Sequence, residues 1–148
     1  MTAARVGIDI VPLTRVAAIL AASPEVLRRH LTAEEVDSTC RRGTIDHACV
    51  AGKLAAKEAV FKLFRRPSVV LPWRAIHITT SLGGWPVATL TGVAAAWAAE
   101  TGMTDIDLSI AHDGDYAVAT ATAQIATTQT TLTPSIINPR RHHDHLDR

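Results

Sequence analysis

Apolar and polar positions along this chain predict a mixed α+β domain. Residues 4–11 are a short segment rich in β-branched residues, in which Val6 to Val11 are apolar except for Asp9, and Pro12 follows them, so we expect a fully or nearly fully buried strand. Three- and four-residue spacing dominates the next part of the chain, as is typical of helices. Two-residue alternation dominates the second half, with turn signals at Gly83-Gly84 and Asp113-Gly114-Asp115.

Helix signals mark five segments and strand signals mark four more. The predicted helices are 14–22, a helix opened by Ser23-Pro24-Glu25, a helix from the Thr32–Glu35 capping box to about Gly43, 45–65, and 92–100 closed by Gly102. The later predicted strands are 74–80, 86–90, 106–111 and 116–123. The longest helix places Glu58 and Lys62 on one face, because they are four residues apart.

Composition limits the number of domains, the partners and the cellular location that we expect. The chain has 148 residues, of which 47% are hydrophobic and 20% charged, and this fits one compact domain over 1–125. A net charge of +1 is too small for a general nucleic-acid binder. No apolar run approaches the roughly twenty residues that span a bilayer, so no membrane partner is expected. Cys40 and Cys49 lack C-x-x-C spacing, which favours reduced thiols in a soluble cytoplasmic protein.

Residues 126–148 differ from the rest. They are rich in threonine and proline and then in histidine, with few large apolar side chains, so we expect a disordered tail. His142, His143 and His145 are metal-ligand types, but a flexible segment holds no fixed second shell around a metal. A solvated tail is the favoured interpretation.

Two remote carboxylates carry the first chemical signal. Asp9 interrupts an apolar strand, and Glu58 lies about fifty residues further on, inside the longest predicted helix. Burying an ionised Asp costs several kcal/mol or more unless a partner compensates it, roughly 2–7 kcal/mol even for a neutral polar group. One explanation is a pair of structural contacts, Glu58 with Lys62 and Asp9 with Arg15. The other is a Mg²⁺ site, because hard cations prefer oxygen ligands and Mg²⁺ takes one or two carboxylates beside phosphate oxygens.

His112 supplies a further signal, since it stands where a predicted strand ends and a turn begins. With the two carboxylates and Gly84-Trp85-Pro86, in this order, the chain resembles the short holo-acyl-carrier-protein synthase type of 4′-phosphopantetheinyl transferase. The motifs that carry the resemblance are Gly7-Ile8-Asp9-Ile10 with Arg15, Ala51 to Ala59 with Lys62, Gly84-Trp85-Pro86, and Ser109-Ile110-Ala111-His112. Together they cover residues 4–125.

The resemblance implies a fold in which an antiparallel sheet packs against a long central helix, with strand–helix–hairpin organisation. It implies transfer of 4′-phosphopantetheine from coenzyme A (CoA) to a serine of an apo acyl or peptidyl carrier protein, releasing 3′,5′-ADP. Mg²⁺ would be held by Asp9 and Glu58. The base would be Glu58 or a metal-bound water that it orients, and Lys62 would meet the leaving phosphate.

The resemblance also implies residues that bind the ligands. Lys53 and His112 would meet the CoA 3′-phosphate, and Pro86 would line the adenine pocket. Gly84 and Lys62 would also bind CoA. The carrier would dock on the basic residues Arg15, Arg28 and Arg29. Relatives of this length are homotrimers with sites between subunits, so we expect a homotrimer here.

Two departures from the family pattern are specific to this chain. Lys53-Leu54 stands where Arg-Phe is usual, which replaces a bidentate fork by a point charge. Residues 63–67, usually small and Gly-bearing, read Leu-Phe-Arg-Arg-Pro. One alternative function is a catalytically silent relative that binds carrier protein or CoA as a trimeric module. Another is a different Mg²⁺ enzyme acting on nucleotides, against which the chain lacks both common Gly-rich phosphate loops.

Overall fold

The fold is known from a computed structural model, which describes residues 2–126. Its elements are β1 Thr2–Pro12, α1 Leu13–Ala22, α2 Leu27–His30, α3 Ala33–Thr39, β2 Cys40–Arg41, β3 Thr44–Ile45, α4 His47–Leu63, β4 Ile76–Thr80, β5 Pro86–Leu90, α5 Gly92–Thr101, β6 Met103–Asp113 and β7 Tyr116–Ala126. No helix within residues 2–126 is both long and apolar enough to cross a bilayer. Ala126, the first residue of the predicted tail, still belongs to β7, and the rest of that tail with its histidines lies outside the described residues.

All strand pairing is antiparallel. The main sheet has three strands in the order β1-β7-β6, and two small hairpins, β2-β3 and β4-β5, complete the described strands. The first strand pairs with the last along its full length, from Thr2 opposite Ala126 to Pro12 opposite Tyr116. The predicted α+β class with an antiparallel sheet is therefore confirmed.

The helix α4 packs on one face of this sheet through small side chains. Burial alternates strictly along strand β7, and eight alanines of β7 and α4 are completely or almost completely buried: Ala51, Ala55, Ala56, Ala59, Ala117, Ala119, Ala121 and Ala123. Alanine on both surfaces lets the helix axis approach the sheet closely. The long central helix thus lies against the sheet, as the resemblance implied.

The other face of β1 corrects the prediction of a nearly fully buried strand. Val6, Ile8 and Ile10 point away from α4 and are 69%, 59% and 55% exposed. Only the alternate residues, including Gly7, Asp9 and Val11, face the helix. An apolar run of this kind predicts a strand covered on both faces, but this chain covers only one of them.

Element ends also differ from the predictions. The Thr32–Glu35 capping box is present, but α3 ends at Thr39 rather than near Gly43. The hydroxyl of Thr39 donates to the Val36 carbonyl, and Arg42 and Gly43 then adopt positive φ in the turn between β2 and β3. Similarly, a 3₁₀ turn over Trp73–Ala75 delays the start of β4 to Ile76.

Candidate active site

A buried ion pair fixes the rotation of α4. The Lys57 ammonium lies 2.8 Å from a carboxylate oxygen of Glu35, and neither side chain is exposed. Lys57 also donates to the carbonyls of Trp73 at 2.8 Å and Ile76 at 2.6 Å. The Glu35 carboxylate accepts in addition from the backbone N–H of Ile78 and of Thr32, each at 2.8 Å.

Every donor of Lys57 therefore has a partner. Burial lowers the pKa of Lys57, and the hydrogen bond and charge of Glu35 oppose that shift. Because Lys57 is held on the β4 side of the helix, the next residue, Glu58, is turned about 100° away, toward β1 and α1. The ion pair thus determines which face of α4 carries Glu58.

Gly7 brings β1 against this face. A Cβ built on Gly7 would stand 2.0 Å from the carbonyl oxygen of Ala59, a distance that no side chain tolerates. The strand therefore approaches the helix backbone at the one residue type that permits it. Asp9, two residues along the same face of β1, is consequently placed beside the helix turn that carries Glu58.

Asp9, Glu58 and Lys62 form what we call the carboxylate group. The two carboxyl groups face each other closely enough that the charge of Asp9 raises the pKa of Glu58. The Lys62 ammonium lies 2.9 Å from Asp9 Oδ1 and donates to the Ile8 carbonyl at 2.5 Å. Lys62 thus pairs with Asp9, and no ion pair of Glu58 with Lys62, or of Asp9 with Arg15, is present within residues 2–126.

The surroundings of Glu58 disfavour its ionised form. Burial raises the pKa of Glu58, the charge of Asp9 raises it further, and Arg15 and Lys62 act in the opposite direction. Glu58 stands at the edge of a small apolar cavity between α1 and α4, whose lining includes Val16, Leu27 and Leu54. Two acids that face each other beside an apolar wall gain from a divalent cation between them.

The residues implied in CoA binding form a second set, which we call the nucleotide group. Lys53, Gly84, Pro86 and His112 line one depression between α4, β6 and the β4-β5 hairpin. His112 Nε2 lies 2.9 Å from the Ala48 carbonyl, which can only accept, so Nε2 carries a proton and Nδ1 stays available. Gly52 leaves room for this ring, since its Cβ would meet His112 Nε2 at 3.1 Å.

Lys53 lies deeper than the sequence suggested. It is 6% exposed, and its ammonium donates to the Ile78 carbonyl at 2.7 Å, which ties α4 to β4. An ammonium has three donors, so two remain for the depression that Lys53 lines.

The two groups do not meet within one chain. The depression that holds the nucleotide group is lined by none of Asp9, Glu58 and Lys62. At 100° per residue, Lys53 and Glu58 project about 140° apart around α4, and Lys53 and Lys62 project about 180° apart. The helix therefore stands between the carboxylate group and the nucleotide group.

The predicted docking residues lie on α1 and α2. Arg15, Arg28 and Arg29 are all exposed. Arg28 makes only a loose surface contact with Glu25, at 3.9 Å, and such contacts contribute about 0–1 kcal/mol. Arg15 borders the same cavity as Glu58, so this basic surface continues to the carboxylate group.

Sequence reasoning missed three residues. Glu35 was recognised only as a helix cap, and Lys57 only as a neighbour of Glu58, although a lysine among alanines signals a buried cation that needs a partner. Arg41 lines the nucleotide depression from the β2-β3 hairpin and lies 3.2 Å from Asp46. Its signal was the basic pair Arg41-Arg42 before a turn glycine.

The donor set suits a hard cation. Within residues 2–126 no group of three or more His, Cys, Asp or Glu side chains is arranged to hold a metal. The carboxylate group offers two carboxylates, and Mg²⁺ takes few protein ligands while waters and phosphate oxygens complete its shell. The residues present therefore fit Mg²⁺ together with a phosphate-bearing ligand.

Comparison with known proteins identifies the family of this chain. Residues 5–121 match the family model of the 4′-phosphopantetheinyl transferase superfamily. The holo-[acyl-carrier-protein] synthase of Desulforudis audaxviator is 40% identical over 119 residues, which cover 80% of this chain and 90% of that protein. The holo-[acyl-carrier-protein] synthase of Frankia casuarinae is 37% identical over 124 residues, which cover 84% of this chain and 99% of that protein.

Solved structures show the same fold. The ACPS–CoA complex of Chronobacterium ammoniagenes superposes with a TM-score of 0.73 at 26% identity, covering 84% of this chain and 99% of that one. The family expected from the motifs is thus confirmed over nearly all the described residues. The chain belongs to the holo-acyl-carrier-protein synthase group of the 4′-phosphopantetheinyl transferase superfamily.

Proposed function

We propose that the chain transfers 4′-phosphopantetheine from CoA to a serine hydroxyl of an apo carrier protein and releases 3′,5′-ADP, in a Mg²⁺-dependent reaction. The observation that carries this proposal is the carboxylate group, in which Asp9 and Glu58 converge beside Lys62. Membership of the family supports the reaction type, and the CoA complex of a structural neighbour supports the co-substrate.

Asp9 and Glu58 would hold the Mg²⁺. When bound, the ion supplies positive charge that offsets the charge developing on the CoA diphosphate. The serine oxygen attacks the phosphorus that carries the pantetheine arm, and the bond from that phosphorus to the oxygen of the 5′-phosphate breaks. Glu58, or a water that it orients, accepts the serine proton. Lys62, beside Asp9, stabilises or protonates the departing phosphate.

The nucleotide group would hold the other end of CoA. Lys53 and Arg41 bring cations to one depression, and His112 adds a ring nitrogen, which together suit the 3′-phosphate. Gly84 and Pro86 line the same depression from the β4-β5 hairpin, against which an adenine could pack. Lys53 provides a point charge rather than a fork, so its contribution to phosphate binding should be smaller than that of an arginine.

A second copy of the chain would complete the site. The carboxylate group and the nucleotide group lie on different faces of α4, and one CoA molecule must reach both. The exposed row of Val6, Ile8 and Ile10 is an apolar surface of the kind that self-association buries. We therefore propose a homotrimer in which each site combines the carboxylate group of one subunit with the nucleotide group of its neighbour.

Mixing of inactive subunits tests this arrangement. Glu58→Ala subunits and His112→Ala subunits, each inactive or weak alone, should regain about a quarter of wild-type activity when refolded together at equal amounts, because some interfaces then pair two intact groups. No recovery in mixed trimers of confirmed mass would contradict sites between subunits.

The carrier would dock on Arg15, Arg28 and Arg29, which suit an acidic partner and continue to the carboxylate group. Arg28→Glu combined with Arg29→Glu should raise the KM for the carrier and leave that for CoA unchanged. We also infer a reducing, cytoplasmic location, which the unpaired Cys40 and Cys49 support.

The direct test is incubation of the chain with CoA, Mg²⁺ and several apo carrier proteins, followed by intact-mass measurement. A mass gain of one phosphopantetheine group on the carrier, with release of 3′,5′-ADP, is expected. Binding of CoA or carrier without any mass gain would leave the silent binding module as the function. The panel of carriers would identify the assembly pathway that the enzyme serves.

A further inference from the structure

Arg65 adopts a backbone conformation that its side chain does not favour. The helix α4 ends at Leu63, Phe64 stays right-handed with φ −72°, and Arg65 then turns to φ +55°. Helices commonly end on such a left-handed residue, and it is usually glycine, because a Cβ clashes there with the following carbonyl. An arginine at this position is a strained choice.

The Arg65 side chain lies beside Lys62, the basic member of the carboxylate group. Arg65 is exposed and borders an open depression together with Phe61, Lys62, Arg66 and Pro67. Arg66 is engaged elsewhere, because it pairs with Glu100 and its guanidinium lies 5.0 Å above the ring of Trp97. Within residues 2–126, the Arg65 guanidinium has no hydrogen-bond or ion-pair partner, and no carboxylate borders this depression.

Lys62 alone has too few free hydrogen-bond donors to bind a diphosphate. Its ammonium has three donors, of which one goes to Asp9 and one to the Ile8 carbonyl. A single donor remains for a group that carries two negative charges. The planar fork of a guanidinium offers paired donors that match phosphate oxygens, and Arg65 presents such a fork next to Lys62.

We propose that Arg65 is a binding residue for the diphosphate of CoA, acting beside Lys62. This inference rests on the proposed function, since it uses CoA as the ligand. It assigns a role to a departure specific to this chain, because residues 63–67 replace a segment that is usually small and Gly-bearing. The strained backbone is then retained for the charge that it carries toward the ligand.

The test combines two variants with two ligands. Arg65→Gly removes the guanidinium and relieves the backbone. Arg42→Gly is the matched control, because Arg42 is also exposed and has φ +52°, but lies in the turn between β2 and β3. Binding of CoA and of dephospho-CoA, which keeps the diphosphate but lacks the 3′-phosphate, is measured by calorimetry on the full chain without carrier protein. Thermal unfolding is recorded for each variant.

Arg65→Gly should weaken both CoA and dephospho-CoA by the same factor, about tenfold, because both ligands lose the same charged contact. Its melting temperature should be unchanged or higher. Arg65→Lys should weaken both ligands less. Arg42→Gly should likewise unfold no earlier than wild type and should bind both ligands as wild type does.

Three results would overturn the proposal. Unchanged affinity of Arg65→Gly for both ligands would reduce Arg65 to a strained surface residue. Weakening of CoA alone would assign Arg65 to the 3′-phosphate. If Arg42→Gly weakened the binding of both ligands equally, the effect would come only from the overall positive charge of the protein and not from a contact of Arg65. Failure of the wild-type chain to bind CoA would instead refute the proposed function, which makes the two failures distinguishable.

Discussion

Lys57 and Glu58 are neighbours in sequence, carry opposite charges and have very different surroundings. Lys57 is completely buried, and all its donors are satisfied by Glu35 and two backbone carbonyls. Glu58 is half-buried, faces the like charge of Asp9 and borders an apolar cavity. Within the described residues, the buried polar groups around Lys57 are all paired, whereas the carboxylates of Glu58 and Asp9 still face each other.

The comparison shows how to separate structural charge from functional charge on one helix. A satisfied buried pair specifies position, and its removal leaves an uncompensated charge in the core. A pair of acids that repel each other lowers stability, and a divalent cation bound between them relieves that repulsion. The first pair should therefore control folding, and the second should control catalysis.

The largest expected effect is on catalysis at the acid pair. Glu58→Gln or Asp9→Asn should lower the transfer rate by about a thousandfold or more, because each removes a ligand charge while keeping the side-chain shape. The free energy of unfolding of Glu58→Gln should be unchanged or higher, since repulsion is removed, whereas Asp9→Asn also loses the ion pair with Lys62. Steady-state kinetics and urea unfolding check both. Glu34→Gln, an exposed acid on α3, is the control, and comparable rates in all three variants would contradict the assignment.

The next effect is on stability at the buried pair. Lys57→Met should lower the free energy of unfolding by about 3–5 kcal/mol, because the Glu35 carboxylate would stay buried without its cation. Urea unfolding measures this loss. A variant that loses less than about 1 kcal/mol would show that Lys57 does not fix the helix.

Gly7→Ala tests the contact that joins the two pairs. Its new Cβ would lie 2.0 Å from the Ala59 carbonyl, so β1 must move away from α4 at a cost of about 1–3 kcal/mol. Because Asp9 moves with β1, the transfer rate should fall further than the loss of folded protein explains. Gly114→Ala is the control, since it adds backbone strain at φ +52° with nothing within 4 Å.

The smallest effect is a pH dependence of the metal-free protein. Since the pKa of Glu58 is raised in the folded state, the native chain retains a proton that the unfolded chain has lost. The stability contributed by protonated Glu58 is therefore present below its usual pKa of 4.5 and is lost as pH rises through the raised value. Unfolding free energies of wild type and Glu58→Gln across this window measure the difference, which should be absent in the variant.

The helical face that joins Glu58 to Lys62 followed from their spacing, and the capping box at Thr32 followed from local sequence. The partner of Lys62 did not follow, because Asp9 reaches it only through the packing of β1 at Gly7. Likewise, no local pattern distinguishes Lys57 from an exposed lysine until β4 is in place.

The exposed face of β1 could not be predicted for a different reason. A continuous apolar strand reads the same whether its own chain or another copy covers the second face, so Val6, Ile8 and Ile10 were assigned to the interior. The separation of Lys53 from Glu58 around α4 follows from helix geometry. The sequence did not show that this separation splits the site, because the split depends on the packing of the β4-β5 hairpin against the Lys53 side of the helix.

The most direct test of the central claim, that Asp9 and Glu58 together bind one divalent ion, is a titration with Mn²⁺ in the presence of CoA, followed by electron paramagnetic resonance. We expect one Mn²⁺ per chain, displaced by Mg²⁺, with the affinity lowered at least about tenfold in Asp9→Asn and in Glu58→Gln alike. Wild-type affinity in both variants would contradict the account.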